Sequence, residues 1–165
     1  MSDRFVILFV CTGNTCRSAM AEGALRTLLE KERPGRFEVI SAGTSAATGF
    51  PATAYAIEAS KIWNANISSH ESQPLTEELV TKADLIFGMT SAHVEEILRR
   101  TDDAAGKTFL LKNFPDSLIE GDGVDDPIGM PLDQYNQTFI EIGECLGQHL
   151  DAIVELIDEK INASQ

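Results

Sequence analysis

Four short apolar segments alternate with polar segments of helical spacing along most of the chain. The apolar segments are residues 4–10, 36–40, 83–89 and 107–111. Between them, apolar residues recur three and four positions apart, as they do on one face of a helix. Strands that alternate with helices are typical of an α/β fold, in which helices join parallel strands. We therefore predict one domain over residues 1–165, with a four-stranded parallel sheet flanked by helices on both faces.

The last predicted helix, residues 132–161, carries a continuous apolar stripe that should dock on the domain. Gly143 and Gly147 lie within it, and each costs the helix about 1 kcal/mol by propensity, so we expect close packing at both. Cys145 is expected to be core or half-buried. The spacing leaves His93 and His149 as surface residues on their helices.

The first apolar segment is almost free of polar residues, which favours a central strand, and it runs directly into Cys11. A short polar loop follows, and then a helical pattern begins at Arg17. A helix N-terminus presents unpaired N–H groups that bind anions and favour a thiolate over a thiol. The planar guanidinium of Arg17 suits a tetrahedral oxyanion. The pattern predicts a thiolate nucleophile and a phosphate cradle in one loop.

Charge and cysteine content narrow the class of partner and the compartment. The net charge is −13, which argues against nucleic acid and against anionic membranes, since both repel a strongly acidic surface. No apolar run reaches membrane-spanning length and no signal-peptide pattern opens the chain. Three cysteines make a disulfide framework improbable and favour the cytoplasm. Three scattered histidines give no metal-ligand spacing, so we expect no metal and no cofactor.

Several short motifs together resemble one known family, the low-molecular-weight protein tyrosine phosphatases. They are Cys11-Thr-Gly-Asn-Thr-Cys-Arg17-Ser18, Ser41-Ala-Gly-Thr44, His70, Met89-Thr90 and Asp126-Pro127. The likeness runs from Phe5 to the final helix. It implies a four-stranded parallel sheet with a phosphate-binding loop after the first strand, which agrees with the alternation of apolar and helical segments.

The resemblance also implies a mechanism. Cys11 is expected to attack phosphorus and form a phosphocysteine, while Arg17 and the amides of residues 12–17 hold the phosphoryl oxygens. Asp126, on a mobile loop, is expected to protonate the leaving atom and then to activate water. Ser18 is placed to donate to the thiolate. The other expected members of the phosphate-binding loop are Thr12, Gly13, Asn14, Thr15 and Cys16.

The same resemblance implies residues that support the loop from behind. The side chains of Asn14, Ser41 and His70 are expected to form a network that fixes the loop. Asparagine at position 14 also tolerates the left-handed conformation that such a cradle often needs. Cys16 has two open interpretations. It can trap an oxidised Cys11 as a disulfide, or it can fill space beneath the loop.

Substrate class is the open point of the sequence. The family default is phosphotyrosine in a protein, but its tyrosine-specific members carry aromatic residues where this chain has Ile128, and the other flanking loop offers Phe50 as its aromatic residue. Thr15 stands where many of those members have a bulky aliphatic residue. With threonine at this position, the loop resembles that of the family's protein arginine phosphatases. We take Thr15, Phe50 and Ile128 as pocket residues, with phosphoarginine as the alternative substrate.

Two further classes are kept as less favoured alternatives. The loop resembles that of thioredoxin-coupled arsenate reductases, which need two more cysteines near the third strand, and this chain has none between Cys16 and Cys145. A non-catalytic phosphate-binding module would need no nucleophile. We expect a phosphorylated protein as the partner. The sequence does not indicate an oligomeric state.

Overall fold

The computed structural model describes residues 4–164 and contains the predicted four-stranded parallel sheet. The strands are β1 (Phe5–Cys11), β2 (Phe37–Gly43), β3 (Leu85–Gly88) and β4 (Thr108–Leu110). Their order across the sheet is β2-β1-β3-β4, and every pair is parallel. The strand that delivers Cys11 is therefore central, as its apolar composition predicts.

Within residues 4–164, five α-helices connect and cover the strands. They are α1 (Arg17–Glu32), α2 (Ala54–Ser60), α3 (Glu77–Lys82), α4 (Ser91–Arg100) and α5 (Leu132–Ala163). Threonine hydroxyls at positions 53, 76 and 90 accept the backbone N–H three residues ahead, which explains where α2, α3 and α4 begin. α2 is short and is followed directly by a single 3-10 turn, Lys61–Trp63.

The sheet is buried on both faces because successive side chains of its strands point alternately into two apolar cores. The odd-numbered residues of β1 pack against α1, α2 and α5, and the even-numbered residues pack against α3 and α4. All seven residues of β1 are buried. Helices on both faces are thus confirmed. Within the described residues, no helix is both long and apolar enough to cross a membrane.

The two glycines of α5 have different surroundings, so the expectation of close packing at both is half wrong. A Cβ placed on Gly143 would lie 2.6 Å from the ring of Trp63, a partly buried side chain that packs on the core. Gly147 is exposed, and among the described residues nothing lies within 4 Å of such an atom there. Gly143 therefore lets α5 approach Trp63, whereas Gly147 has no such packing role.

The prediction of a surface position for His149 is wrong. His149 lies three residues after Leu146 and four before Ile153, and therefore on the buried stripe of α5. Its Nε2–H donates to the carbonyl of Leu111 at 2.7 Å. Burial lowers the pKa of His149, which keeps the ring neutral. Cys145, one turn earlier, is half-buried as expected.

Candidate active site

The residues expected to carry chemistry meet at the carboxyl edge of the sheet. Cys11 is the last residue of β1, and it pairs in register with Gly43 of β2. The turn after β3 begins at Met89, whose N–H donates to the carbonyl of Val10. Because parallel strands end at one edge, loops that are distant in sequence lie side by side there.

The loop after Cys11 is wound tightly around the thiol. Asn14 adopts φ = +59°, the left-handed conformation expected for it. This conformation brings the backbone N–H of Asn14 within 3.3 Å of Cys11 Sγ. Ser18 Oγ lies 2.9 Å from the same sulfur. Among the described residues no side chain caps the start of α1 at Cys16, so its first N–H groups remain available to an anion.

Asn14 holds this loop through every polar atom of its side chain. Its Nδ2 donates to Ser18 Oγ at 2.8 Å and to Ser41 Oγ at 2.9 Å, and its Oδ1 accepts from Gln73 N at 2.9 Å. A backbone N–H can only donate, so the contact with Gln73 fixes which end of the amide is which. The side chain is completely buried.

The directions of these hydrogen bonds leave the hydroxyl proton of Ser18 available to the thiol. The carboxylate of Glu22 can only accept, so Ser41 donates to its Oε1 at 2.8 Å. Ser18 accepts from Asn14, which leaves its own proton free to be donated to Cys11. A donated hydrogen bond favours the charged thiolate. The network therefore extends from a carboxylate at one end to the candidate nucleophile at the other.

His70 supports the loop from outside, as expected. Its Nε2 lies 2.6 Å from the main-chain oxygen of Asn14, and because a carbonyl accepts, this nitrogen carries the proton. The ring therefore contacts the backbone of the loop and stabilises its conformation.

Arg17 and Asp126 face each other across the loop. Arg17 is 6% exposed, its Nη1 donates to the carbonyl of Val124 at 3.0 Å, and its Nη2 lies 3.6 Å from Asp126 Oδ2. The Asp126 carboxylate is 43% exposed, and its Oδ1 accepts from Ile128 N at 3.1 Å. Arg17, which is expected to hold the phosphoryl oxygens, thus contacts the segment that carries the expected acid through both terminal nitrogens.

A small pocket of about 30 Å³ opens above the thiol. It is lined by Cys11, Gly13, Asn14, Thr15, Cys16, Arg17, Asp126 and Ile128. Thr15 and Ile128 therefore lie where they were expected. Phe50 is 57% exposed and is not part of this lining, so its role as a wall residue stays a prediction. Asp125, the neighbour that could compete with Asp126, is also outside the lining.

A larger cleft of about 410 Å³ lies behind the loop. Its lining includes Glu22, Ser41, His70 and Gln73, the residues that support Asn14. Among the described residues, the lining of this cleft contains no cysteine. We therefore place the chemistry in the smaller pocket, which contains the candidate nucleophile.

Cys16 is reduced and lies beneath the loop. Its Sγ is 3.6 Å from Tyr135 Oη and 3.6 Å from Thr53 Oγ1. Burial raises the pKa of Tyr135, so the phenol stays protonated. These contacts tie the loop to α5 and to the start of α2, and both interpretations of Cys16 remain proposals.

The prediction of a surface position for His93 is also wrong. The side chain is 5% exposed, and its Nε2 lies 2.9 Å from Thr12 Oγ1. His93 follows the helix cap Thr90 by three residues, the position from which a side chain folds back onto the cap. The pattern Thr-x-x-His was therefore a usable signal that the sequence interpretation missed.

Glu22 and Gln73 are further residues that the sequence did not single out. Glu22 sits on α1, where it accepts from Ser41 and pairs with Arg26. Gln73 donates from its N–H to Asn14 and from its Nε2 to the carbonyl of Ser41. Neither belongs to a motif with an intrinsic chemical meaning, so the structure was needed to find them.

No metal site accompanies these residues in the part of the chain that the structure describes. There, His, Cys, Asp and Glu side chains nowhere form a group of three that could hold an ion. The chemistry that the site offers is a thiol, a guanidinium, backbone N–H groups and a carboxylate, which together fit nucleophilic attack on a phosphoryl group.

A parallel α/β sheet with such a loop after its first strand defines a cysteine-based phosphatase. The family model described as low molecular weight phosphotyrosine protein phosphatase matches residues 6–162. The chain belongs to this family of enzymes.

Relatives from two branches of the family are similarly close in sequence. A protein-arginine-phosphatase of Bacillus subtilis is 42% identical over 143 residues, which cover 86% of this chain and 92% of the relative. A probable low molecular weight protein-tyrosine-phosphatase, EpsP, of Ralstonia nicotianae is 45% identical over 151 residues, covering 92% and 94%. The crystal structure of a YwlE mutant from Bacillus subtilis superimposes with a TM-score of 0.82 at 38% identity, covering 90% of this chain and 98% of that one.

We predict that Asn14→Ala destabilises the fold by about 3 kcal/mol, because it strains a left-handed backbone and leaves buried polar groups without partners. Asn64 is a matched control, since it also has a positive φ, +56°, but is exposed. Asn64→Ala should cost only about 1 kcal/mol. Denaturant unfolding measures both variants, and equal losses would contradict a bracing role for the Asn14 side chain.

Proposed function

We propose that this phosphatase hydrolyses phosphorylated protein side chains through a phosphocysteine on Cys11. The observation that carries the proposal is the hydrogen-bond network from Glu22 to Cys11 Sγ, in which Ser41 donates to the carboxylate and Ser18 accepts from Asn14, so that the Ser18 proton is available to the sulfur. Arg17 and the loop amides supply the donors that a phosphoryl group needs. In this proposal, Cys11 Sγ attacks phosphorus and the bond to the leaving atom breaks.

Asp126 is the proposed acid and base. It lines the pocket and faces Arg17, so a phosphoryl group held there would place its leaving atom beside the carboxyl. Asp126 gives its proton to the leaving atom and then takes one from the water that attacks the phosphocysteine. The thiolate departs, inorganic phosphate is released, and the enzyme returns to its starting state.

Phosphotyrosine is the first substrate class that we propose. It follows from the family and from EpsP-like relatives such as the Ralstonia protein. An aryl phosphate has a leaving group that a carboxylic acid can protonate, and the exposed Ile128 at the pocket supplies an apolar contact for a ring.

Phosphoarginine is the second candidate, because the pocket presents a hydroxyl at Thr15 and has no aromatic side chain among its described lining residues. A hydroxyl can accept from a guanidinium N–H, which an alkyl group cannot do. Residues 113–130 contain five carboxylates and no Lys or Arg, so the chain around the acid is also suited to a cationic side chain. The Bacillus subtilis relative carries the name of a protein-arginine-phosphatase.

The cellular setting is part of the proposal. A thiolate nucleophile works only while it is reduced, which fits a reducing cytoplasm. The charge of −13 favours protein segments over nucleic acid as partners. Although an arsenate reductase is among the relatives, the missing second pair of cysteines disfavours that activity.

Replacement of Cys11 by serine tests the mechanism. We expect Cys11→Ser to abolish hydrolysis of an aryl phosphate in the presence of EDTA, since the hydroxyl is a far weaker nucleophile. Cys145→Ser is the matched control, because burial raises the pKa of this thiol to about 11 and keeps it inert, and it should retain activity. Acid quench with a ³²P-labelled substrate should trap label on the wild type. Turnover that survives Cys11→Ser overturns the mechanism, and binding without trapped label or turnover identifies a phosphate-binding module.

Removal of the proposed acid should depend on the leaving group. Asp126→Ala should slow hydrolysis of phenyl phosphate by about 100-fold or more, and hydrolysis of 4-nitrophenyl phosphate far less, because nitrophenolate leaves without a proton. Asp125→Ala changes the adjacent carboxylate outside the pocket and should change both rates little. If the two variants exchange these behaviours, the acid is Asp125.

The substrate class can be decided at Thr15. We expect Thr15→Ile to lower the ratio of kcat/KM for phosphoarginine peptides over phosphotyrosine peptides by about 10-fold, since it adds bulk and removes the hydroxyl. Thr15→Val keeps the shape and removes the hydroxyl alone, so a shift in both variants assigns the effect to hydrogen bonding. An unchanged ratio in both would remove the argument for phosphoarginine from this residue.

A further inference from the structure

His93 joins two segments of the active site through one buried ring. From the third position of α4, its Nε2 reaches Thr12 Oγ1 at 2.9 Å, immediately after Cys11. Its Nδ1 lies 3.2 Å from the backbone nitrogen of Thr90 and 3.0 Å from Thr90 Oγ1. The ring therefore links the phosphate-binding loop to the turn that follows β3.

The partners of the ring determine its tautomer. The N–H of Thr90 can only donate, so Nδ1 carries the lone pair and Nε2 carries the proton. His93 consequently donates to Thr12, and the hydroxyl proton of Thr12 stays available to other acceptors. Burial, followed by the positive charge of Arg17, lowers the pKa of His93 to about 4, against an opposing effect of Asp126. The neutral tautomer therefore persists at physiological pH.

The segment that carries the proposed acid packs against the same turn that His93 contacts. A Cβ added to Gly123 would lie 2.9 Å from Thr90 Cγ2 and 3.1 Å from the carbonyl oxygen of Met89. The next residue, Val124, donates its N–H to that same carbonyl at 2.9 Å. Its own carbonyl accepts from Arg17. Residues 123 and 124 are thus fixed between the turn and the arginine, two positions before Asp126.

We propose that His93 is a positioning residue: it orients Thr12 from one nitrogen and, through Thr90, seats residues 123–126 so that Asp126 faces the leaving atom. The inference rests on the proposed function, in which Asp126 is the acid. A displacement of about 1 Å in a group that must transfer a proton can cost about 100-fold in rate. Loss of the ring should therefore impair the step that needs the acid more than the attack by Cys11.

The test compares His93→Phe with a second buried histidine. Phenylalanine keeps a ring in place and removes both nitrogens. His149→Phe makes the same change at a buried ring whose partner is Leu111, so it reports general damage to packing. The measured quantity is kcat/KM for phenyl phosphate and for 4-nitrophenyl phosphate. Asp126→Ala is the reference, and acid-trapped phosphocysteine counts the active sites of each variant.

We expect His93→Phe to lower kcat/KM at least 10-fold for phenyl phosphate and less than about 3-fold for 4-nitrophenyl phosphate, in the direction of Asp126→Ala. His149→Phe should change both substrates by the same factor. Two conservative variants separate the arms of the ring. His93→Asn places an acceptor near the Nδ1 position for the Thr90 N–H, and His93→Gln places a donor near the Nε2 position for Thr12.

Since the acid segment is reached through Thr90, His93→Asn should recover the phenyl phosphate rate better than His93→Gln. Equal losses for the two substrates in His93→Phe, or no advantage of asparagine over glutamine, overturn the inference while the proposed function stands. Should Asp126→Ala itself show no leaving-group dependence, the acid assignment is wrong and the inference falls with it.

Discussion

The active site depends on the hydrogen bonds of the buried Asn14 side chain, which hold the backbone of this residue at a positive φ. The left-handed turn directs the backbone N–H of Asn14 toward the thiol. Such a turn is unfavourable for most residues, by about 1–2 kcal/mol. The amide of Asn14 offsets this cost, because the groups it bonds on Ser18, Ser41 and Gln73 come from three separate segments of the chain. Local strain and long-range support are thus located in one residue.

The parallel sheet makes that support possible. β1 is flanked by β2 and β3, so the loops that follow all three strands meet around Cys11. The loop after β2 is bonded to the phosphate-binding loop, since the N–H groups of Thr44 and Ser45 donate to the carbonyls of Cys11 and Thr12. The turn after β3 supplies Thr90 and His93. The acid segment then rests on this turn by a backbone hydrogen bond from Val124 to Met89. Few parts of the site are therefore free to move independently of the sheet.

The sequence predicted the fold and the motif residues because their signals are local. An apolar run, a threonine cap or a cysteine ahead of a helix can be interpreted from a few neighbouring letters. The supporting residues could not be predicted in this way. Glu22 and Gln73 act through partners more than 15 positions away, and their residue types are common on any surface. His149 was misplaced because it interrupts an apolar stripe with a polar letter, although its helical position is a buried one.

The overall charge of the protein explains why the pocket has to be so closely organised. With a net charge of −13, long-range electrostatics repel a phosphorylated substrate and do not guide it to the site. This repulsion is screened beyond about 8–10 Å at physiological salt, so recognition of phosphate depends on contacts at short range. Arg17 is only 6% exposed, and in such a poorly hydrated position each contact of a guanidinium with an oxyanion is strong. Basic residues on either side of a phosphorylated side chain would offset part of the repulsion that the phosphate itself encounters.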